Sequence, residues 1–153
     1  MTLEECKLAT IEHIQRVQYY IRLFTDRLTT KAQHHDESKL SDIEAPIFAE
    51  HTEKLSEIEF GSKEYEKELE ELSVALNHHY KYNRHHPQYF GEEGINAMDL
   101  TDILEMLADW MASTERTQNG DIFESIEINA KRFNIDKQLK QILINTAKLL
   151  INN

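Results

Sequence analysis

Histidine is the most informative residue type in this chain. There are eight histidines among 153 residues, and six of them form adjacent pairs at positions 34–35, 78–79 and 85–86. An imidazole nitrogen is a good ligand for Zn, Fe, Mn, Co or Ni, and a neighbouring carboxylate widens that choice. A mixed set of this kind can hold one or two ions that activate water and neutralise a phosphoryl group. The pattern therefore indicates a metal site.

Taken one at a time, most of these histidines have ordinary structural explanations. His51 lies on a polar helix face and is expected to be solvated, and His13 alone could sit at the edge of a core. One member of each adjacent pair is expected to face solvent. His79 differs, because it continues an apolar helical stripe, where a buried imidazole needs a polar partner. That stripe comprises Tyr65, Leu69, Leu72, Leu76, His79 and Asn83.

One predicted helix carries three acidic residues on a single face. Asp102, Glu105 and Asp109 are spaced i, i+3 and i+7, which places them within about a 60° arc. A solvated acidic stripe explains Asp102 and Glu105 at least as well as a functional role does. Asp109 lies between Ala108 and Trp110, and it is the better candidate for a carboxylate that faces inward.

The elements that position these residues are predicted to be helices throughout. Only four glycines and two prolines interrupt the chain, and apolar side chains recur at helical spacing, as in Ile14, Val17, Ile21, Phe24 and Leu28. The predicted helices span about 3–28, a segment after the Ser41–Glu44 capping box, 63–82, 100–116, 122–133 and 136–151. We therefore predict an all-α fold, a compact bundle of about six helices in a single domain over residues 1–153.

Charge and composition narrow the classes of partner. The formal net charge is -11, so we expect no binding to extended nucleic acid. A small phosphorylated ligand remains compatible, since a bound cation reverses the local sign. We find no signal peptide and no apolar run that could span a membrane, and the lone Cys6 fits a reducing compartment, so we expect a cytoplasmic protein. The sequence leaves the oligomeric state undetermined.

The order of the candidate ligands resembles that of HD-superfamily metal-dependent phosphohydrolases. Those enzymes carry a histidine on one helix, a His-Asp doublet on another and an aspartate on a later helix, an order matched here by His13, His35–Asp36 and Asp109. The segment His-Asp-Glu-Ser-Lys at 35–39 is similar to a variant whose lysine contacts the scissile phosphate. The histidines at 79 and 85–86 resemble the extra histidines of multinuclear members.

A second resemblance covers nearly the whole chain. The chain looks like an uncharacterised family common in phages and their bacterial hosts. The shared motifs are His-Asp-x-Ser-Lys, His-His-Tyr-x-x-Asn-Arg-His-His-Pro and Met-x-Leu-x-Asp-x-x-Glu-Met-x-x-Asp-Trp, which occur here at 35–39, 78–87 and 98–110. That family implies no activity.

The HD resemblance implies a metal-dependent phosphohydrolase acting on a nucleotide or another small phosphate ester. It would use one or two ions of Mn, Co, Ni, Fe or Zn, with Asp36 bridging. The expected ligands are His13, His35, Asp36, His79, His86 and Asp109. Lys39 and Arg84 are expected to neutralise phosphoryl oxygens, and Asn83 to orient a substrate hydroxyl or a water.

Two alternatives stay open at this point. A histidine-rich dinuclear site of this sort also serves HD-like di-iron oxygenases. A non-enzymatic protein that sequesters a nucleotide or a host protein would fit the acidic charge and the phage-like resemblance, although such a protein has no need of converging histidines and aspartates.

Overall fold

The computed structural model is built from helices. It describes residues 1–57, 63–116 and 119–151, and within these ranges it contains six α-helices, two 3₁₀ segments and no strand. The α-helices are α1 (Leu3–His34), α2 (Glu44–Glu57), α3 (Lys63–Tyr82), α4 (Leu100–Thr114), α5 (Ile122–Arg132) and α6 (Lys137–Ile151). The 3₁₀ segments are Glu37–Leu40 and Pro87–Ala97. The predicted all-α fold class is confirmed.

The chain divides into two units, Met1–His34 and His35–Asn153. The first unit is α1 alone, which extends six residues past the predicted end near Leu28. The threonines that were expected to break it are accommodated, because the hydroxyls of Thr29 and Thr30 donate to backbone carbonyls one turn earlier, at 2.9 and 3.0 Å.

Taken by itself, α1 has no buried residue. Within this helix, the apolar stripe that is predicted to face a core is exposed from Val17 at 42% to Phe24 at 60%, apart from Leu28, which is partly buried. The single domain over residues 1–153 stays a prediction.

The apolar core of the second unit is formed mainly by its last three helices. Met106 and Leu107 of α4, Ile126 of α5 and Leu143 of α6 are almost fully buried within one cluster. Helix α4 begins where Asp99 accepts hydrogen bonds from the backbone N–H groups of Thr101 and Asp102, at 2.8 and 3.0 Å. This cap sets the register in which α4 presents its core face and its acidic face.

Helices α2 and α3 pack against each other in the same unit. The α3 bounds agree with the prediction, and Leu72 and His79 are buried along the expected stripe, whereas Leu76 is partly buried. The side chains of Leu69 and Tyr65, which were assigned to the same stripe, lie outside the described residues. Within the described ranges, no helix is long and apolar enough to cross a membrane.

The connection from α3 to α4 is irregular, as predicted from Pro87. The backbone at Gly91 (φ 59°, ψ -130°) and Gly94 (φ 47°, ψ -123°) occupies a region that side chains other than glycine rarely adopt. These two positions divide the 3₁₀ segment and bring the chain to the start of α4.

Candidate metal centre

The first pair of candidate ligands lies at the start of the second unit. Asp36 has φ 56° and ψ 17°, the left-handed region, which aspartate tolerates better than most residues. Its carbonyl accepts a hydrogen bond from Lys39 N at 2.9 Å and so begins the 3₁₀ turn. The side chains of His35 and Asp36 are both partly buried.

The other histidines come from the end of α3 and the residues that follow. His79 is 2% exposed because it continues the buried stripe of the helix. His86 precedes Pro87 and has an extended backbone, so the helix ends before it. The rings of His85 and His86 lie 4.0 Å apart, centroid to centroid, and His85 is 1% exposed. In this pair His85 is buried and His86 is only partly buried, and both offer a ring nitrogen to the same group of possible ligands.

These side chains converge on the Asp36 carboxylate. Asp36 Oδ1 lies 3.2 Å from His79 Nε2 and 3.4 Å from His85 Nε2. His35 Nε2 lies 3.6 Å from both Asp36 Oδ2 and Asp109 Oδ1. We name this set the histidine–aspartate cluster. Its members are His35, Asp36, His79, His85, His86 and Asp109.

Two buried atoms of this cluster have no hydrogen-bond partner among the described residues, Asp36 Oδ1 and His85 Nε2. They are close to each other, yet their contact lacks hydrogen-bond geometry. Buried polar atoms are nearly always satisfied, so an orphaned pair of this kind is typical of a site that takes a further group.

The spacing within the cluster matches the spacing of ligands around an ion. With metal–ligand bonds of about 2.0–2.2 Å, neighbouring ligands at octahedral or tetrahedral angles are about 2.8–3.6 Å apart. The histidine nitrogens lie 3.2 to 3.6 Å from the Asp36 oxygens, and His79 Nε2 and His86 Nε2 are 2.9 Å apart. The residues present therefore fit a transition-metal ion.

The donors form two overlapping groups. Asp36, His79, His85 and His86 make one group, and His35, Asp36, His85 and Asp109 make the other, with the ligand atoms of each group within 4.8 Å of one another. Because Asp36 has two oxygens and belongs to both groups, it is suited to bridge two ions. Exposed acidic groups are common without a metal, but these donors are buried or partly buried.

Two further carboxylates contact the histidine rings at Nδ1 and so orient them. Glu105 Oε1 lies 3.1 Å from His35 Nδ1 and 3.3 Å from His85 Nδ1. Glu44, which is fully buried, lies 2.9 Å from His79 Nδ1 through Oε2. A proton held on Nδ1 by a carboxylate leaves the Nε2 lone pair directed into the cluster, an arrangement typical of metal-ligating histidines.

Burial and neighbouring charges shift the pKa values of several residues in the cluster. The neighbouring carboxylates of Asp109 and Glu105 raise the pKa of His35 to about 10, so the metal-free protein holds an imidazolium there. Burial opposes ionisation of Asp36, but His79, His85 and Lys39 together lower its pKa well below the usual range. Burial, with repulsion from His85 and His79, lowers the pKa of His86 to about 3. His86 is therefore neutral and has a lone pair available at neutral pH.

The three residues predicted to contact substrate have different surroundings. Lys39 Nζ lies 2.6 Å from Asp36 Oδ2, and its side chain is 40% exposed. Asn83 is buried and donates to Ser38 Oγ at 2.7 Å and to the His79 carbonyl at 2.8 Å. Arg84 donates to both oxygens of Asp102, at 3.2 and 2.8 Å. Lys39 alone of the three combines exposure with direct contact to the cluster.

His13 lies on α1, in the first unit, and its side chain is exposed there. Its assignment as a ligand stays a prediction. His85 is not among the ligands that the sequence predicts, and Glu44 is predicted only as part of a helix cap. The structure retains half of that cap, since Glu44 N donates to Ser41 Oγ at 3.2 Å, while the Glu44 carboxylate binds the histidines.

A separate group of His51, Glu68 and Glu71 occupies α2 and α3. His51 was expected to be solvated, and that expectation is wrong, because His51 is only 5% exposed. Its Nδ1 is hydrogen-bonded to Glu68, and its Nε2 lies 3.6 Å from Glu71. Likewise, Asp102 is fully buried rather than part of a solvated stripe, because Arg84 and the helix cap hold it.

A family model matches residues 2–149. The chain belongs to DUF5662, a family of unknown function. This confirms the predicted membership of a family without an assigned activity, and the match spans both units. No curated protein and no solved structure matches the chain significantly.

Proposed function

We propose that this member of DUF5662 is a metal-dependent hydrolase of a small phosphate ester. The observation that carries the proposal is the pair of buried, orphaned atoms, Asp36 Oδ1 and His85 Nε2, inside a set of donors at ligand spacing. The order of His13, His35–Asp36 and Asp109 also resembles that of HD-superfamily phosphohydrolases. That resemblance favours phosphoryl chemistry over other uses of the same donors.

Asp36 would bridge two divalent ions. The first would be held with His35 and Asp109, and the second with His79 and His86, while His85 would serve either ion through its single unpaired nitrogen. Bound ions would supply water activation at neutral pH and charge neutralisation on the phosphoryl oxygens.

Lys39 is the proposed phosphate-binding cation. Its ammonium group is already beside Asp36, and its partly exposed side chain also lies 5.9 Å from the centre of the Phe48 ring. In the metal-free protein this charge offsets the Asp36 carboxylate. Ions held by Asp36 would neutralise that carboxylate, and Lys39 would then be able to contact a phosphoryl oxygen.

Asn83 and Arg84 take positioning roles in this proposal. Asn83 connects Ser38 to the backbone of His79, and so it orients a ligand rather than a substrate. Arg84 fixes the start of α4 through Asp102, and the face of that helix supplies Asp109 and Glu105. We therefore assign the expected phosphate contact to Lys39 and not to Arg84.

The proposal is tested by reconstituting the protein separately with Mn, Co, Ni, Fe, Zn and Mg. Hydrolysis of p-nitrophenyl phosphate and of nucleoside monophosphates is then measured. We expect metal-dependent turnover that chelator abolishes. Lys39→Ala should retain metal content and lose on the order of 10²-fold in kcat/KM. Lys63→Ala, which removes an exposed lysine on α3, is the matched control and should behave as wild type.

Loaded protein that hydrolyses no phosphate ester contradicts the proposal. Oxygen consumption by the iron-loaded protein, without hydrolysis, would instead support the di-iron oxygenase. Failure to take up any metal, together with recovery of an intact bound nucleotide, would support a sequestering protein.

A further inference from the structure

A pocket of about 210 Å³ in the second unit borders the histidine–aspartate cluster, and its wall includes His86 and Asp109. These two residues come from the two different donor groups of the cluster. A ligand in the pocket would therefore be adjacent to both proposed ion positions. The pocket is smaller than the roughly 300–1,000 Å³ typical of sites for drug-sized ligands, so it favours a compact molecule.

One polar atom in the pocket wall has no partner. Gln88 Oε1 is buried, and no described residue donates a hydrogen bond to it. Leaving a buried acceptor unsatisfied is unfavourable, and such atoms in native proteins call for an explanation. A hydroxyl or amino group of a bound ligand would satisfy Gln88. Gln88 lines the same pocket as His86 and Asp109, so that donor would lie in the pocket that borders the cluster.

A cation also lines this pocket. Arg132 is exposed, and its guanidinium carbon lies 4.9 Å from the centre of the Phe133 ring, which is also part of the wall. Among the described residues, no carboxylate forms an ion pair with Arg132. The Arg132 guanidinium is therefore available to an anionic ligand in the pocket. Its planar donor set is well suited to a carboxylate or a phosphate.

We propose that this pocket binds the leaving group of the substrate, and that the substrate is the phosphate ester of a small hydroxylated acid. This inference rests on the proposed function. The ester phosphate would lie beside His86 and Asp109, a hydroxyl would donate to Gln88 Oε1, and the acid group would pair with Arg132. The ligand class thus follows from three separate features of one pocket.

Trp110 allows occupancy to be measured without catalysis. It is the sole tryptophan of the chain, and it lines the pocket. Its ring is nearly parallel to that of Phe133, at 5° and 6.4 Å between centroids. A ligand that enters beside these rings should change the fluorescence of Trp110.

The test compares two probes by fluorescence titration of the metal-loaded protein. The probes are 3-phosphoglycerate and glycerol 3-phosphate, which share a phosphate ester and a hydroxyl and differ in the carboxylate. We expect 3-phosphoglycerate to bind about tenfold or more tightly, as one charge-assisted pair would provide. Arg132→Met should abolish that preference, and Gln88→Leu should weaken both probes. Arg116→Met has the same charge change and should keep the preference.

Equal affinity for the two probes in the wild type, or a preference that survives Arg132→Met, would overturn the inference. So would the absence of any saturable Trp110 response. Hydrolysis of p-nitrophenyl phosphate by the same preparations separates the two hypotheses. Turnover without discrimination refutes the pocket assignment alone, whereas discrimination without turnover supports the pocket and refutes the hydrolase.

Discussion

The imidazole rings of His79 and His86 face each other through Nε2 atoms that are 2.9 Å apart. Two ring nitrogens at this distance must share a proton or a cation, because two lone pairs repel each other. His79 Nδ1 is already beside Glu44, and the pKa of His86 is lowered to about 3 by burial and by neighbouring histidines. A metal ion would satisfy both Nε2 atoms at once.

Added metal should therefore raise the melting temperature of the protein. An ion that binds only the folded state stabilises it by about 2.7 kcal/mol at a hundredfold excess over Kd, which is several degrees for a domain of this size. Asp36→Asn should lose this increment, since the proposed bridging ligand is gone. It should also lower metal-free stability, because Lys39 loses its carboxylate partner.

Thermal melts of both proteins, with chelator and with each metal, measure these two effects separately. A wild-type melting temperature that no metal changes would refute the metal centre. An increment that survives in Asp36→Asn would show that the ion binds elsewhere.

The two adjacent histidines at the end of α3 should differ in importance. His79 contacts Asp36 and His86, whereas His78 contacts Glu44 at 2.6 Å and is partly exposed. We expect His79→Ala to weaken metal binding much more than His78→Ala. Isothermal titration of both variants provides the comparison, and equal losses or the reverse order would contradict this difference between the two histidines.

Glu105 should tune the metal centre without touching the ion. Its carboxylate is beside the Nδ1 atoms of His35 and His85, and partners of this kind typically contribute 10- to 100-fold in metal affinity. We expect Glu105→Gln to weaken binding by about that factor in competition with a chelator. Glu124→Gln, an exposed change on α5, is the control. An unchanged metal affinity in Glu105→Gln would contradict the orienting role proposed for Glu105.

Arg84 should matter for stability more than for substrate binding. Its removal leaves the buried carboxylate of Asp102 without two hydrogen bonds, which costs about 1–3 kcal/mol. Denaturant unfolding of Arg84→Met should show this loss, with an unchanged KM for p-nitrophenyl phosphate. A raised KM with intact stability would restore the sequence-based role of Arg84 as a phosphate contact.

Helical periodicity correctly predicted those features of the fold that depend on residues close together in the sequence. The α3 bounds, the burial of His79 and Asn83, and the cap at Asp99 all follow from residues within a few positions of one another. The same reasoning selected Asp109 from the acidic face of α4.

Residues whose partners are distant in sequence were assigned less well. His51 is buried because Glu68 of another helix pairs with it, and Glu44 binds His78 and His79 from more than thirty positions away. His85 was omitted because it lies where the helix has ended, so no periodicity indicates the direction of its side chain.

The position of the histidine–aspartate cluster should also affect how the second unit unfolds. Its main apolar core belongs to α4, α5 and α6, whereas α3 contributes Leu72 and Ala75 on the side of α2. A pair of ions bridged by Asp36, one bound by His79 of α3 and the other by Asp109 of α4, would then act as a cross-link between these two regions, closing a loop of intervening chain much as a disulfide does. Without it, amide hydrogens of α3 should exchange with solvent sooner than those of α4, through partial opening. With it, the two helices should become protected together, so that metal supply would govern the cooperativity of folding as well as the chemistry.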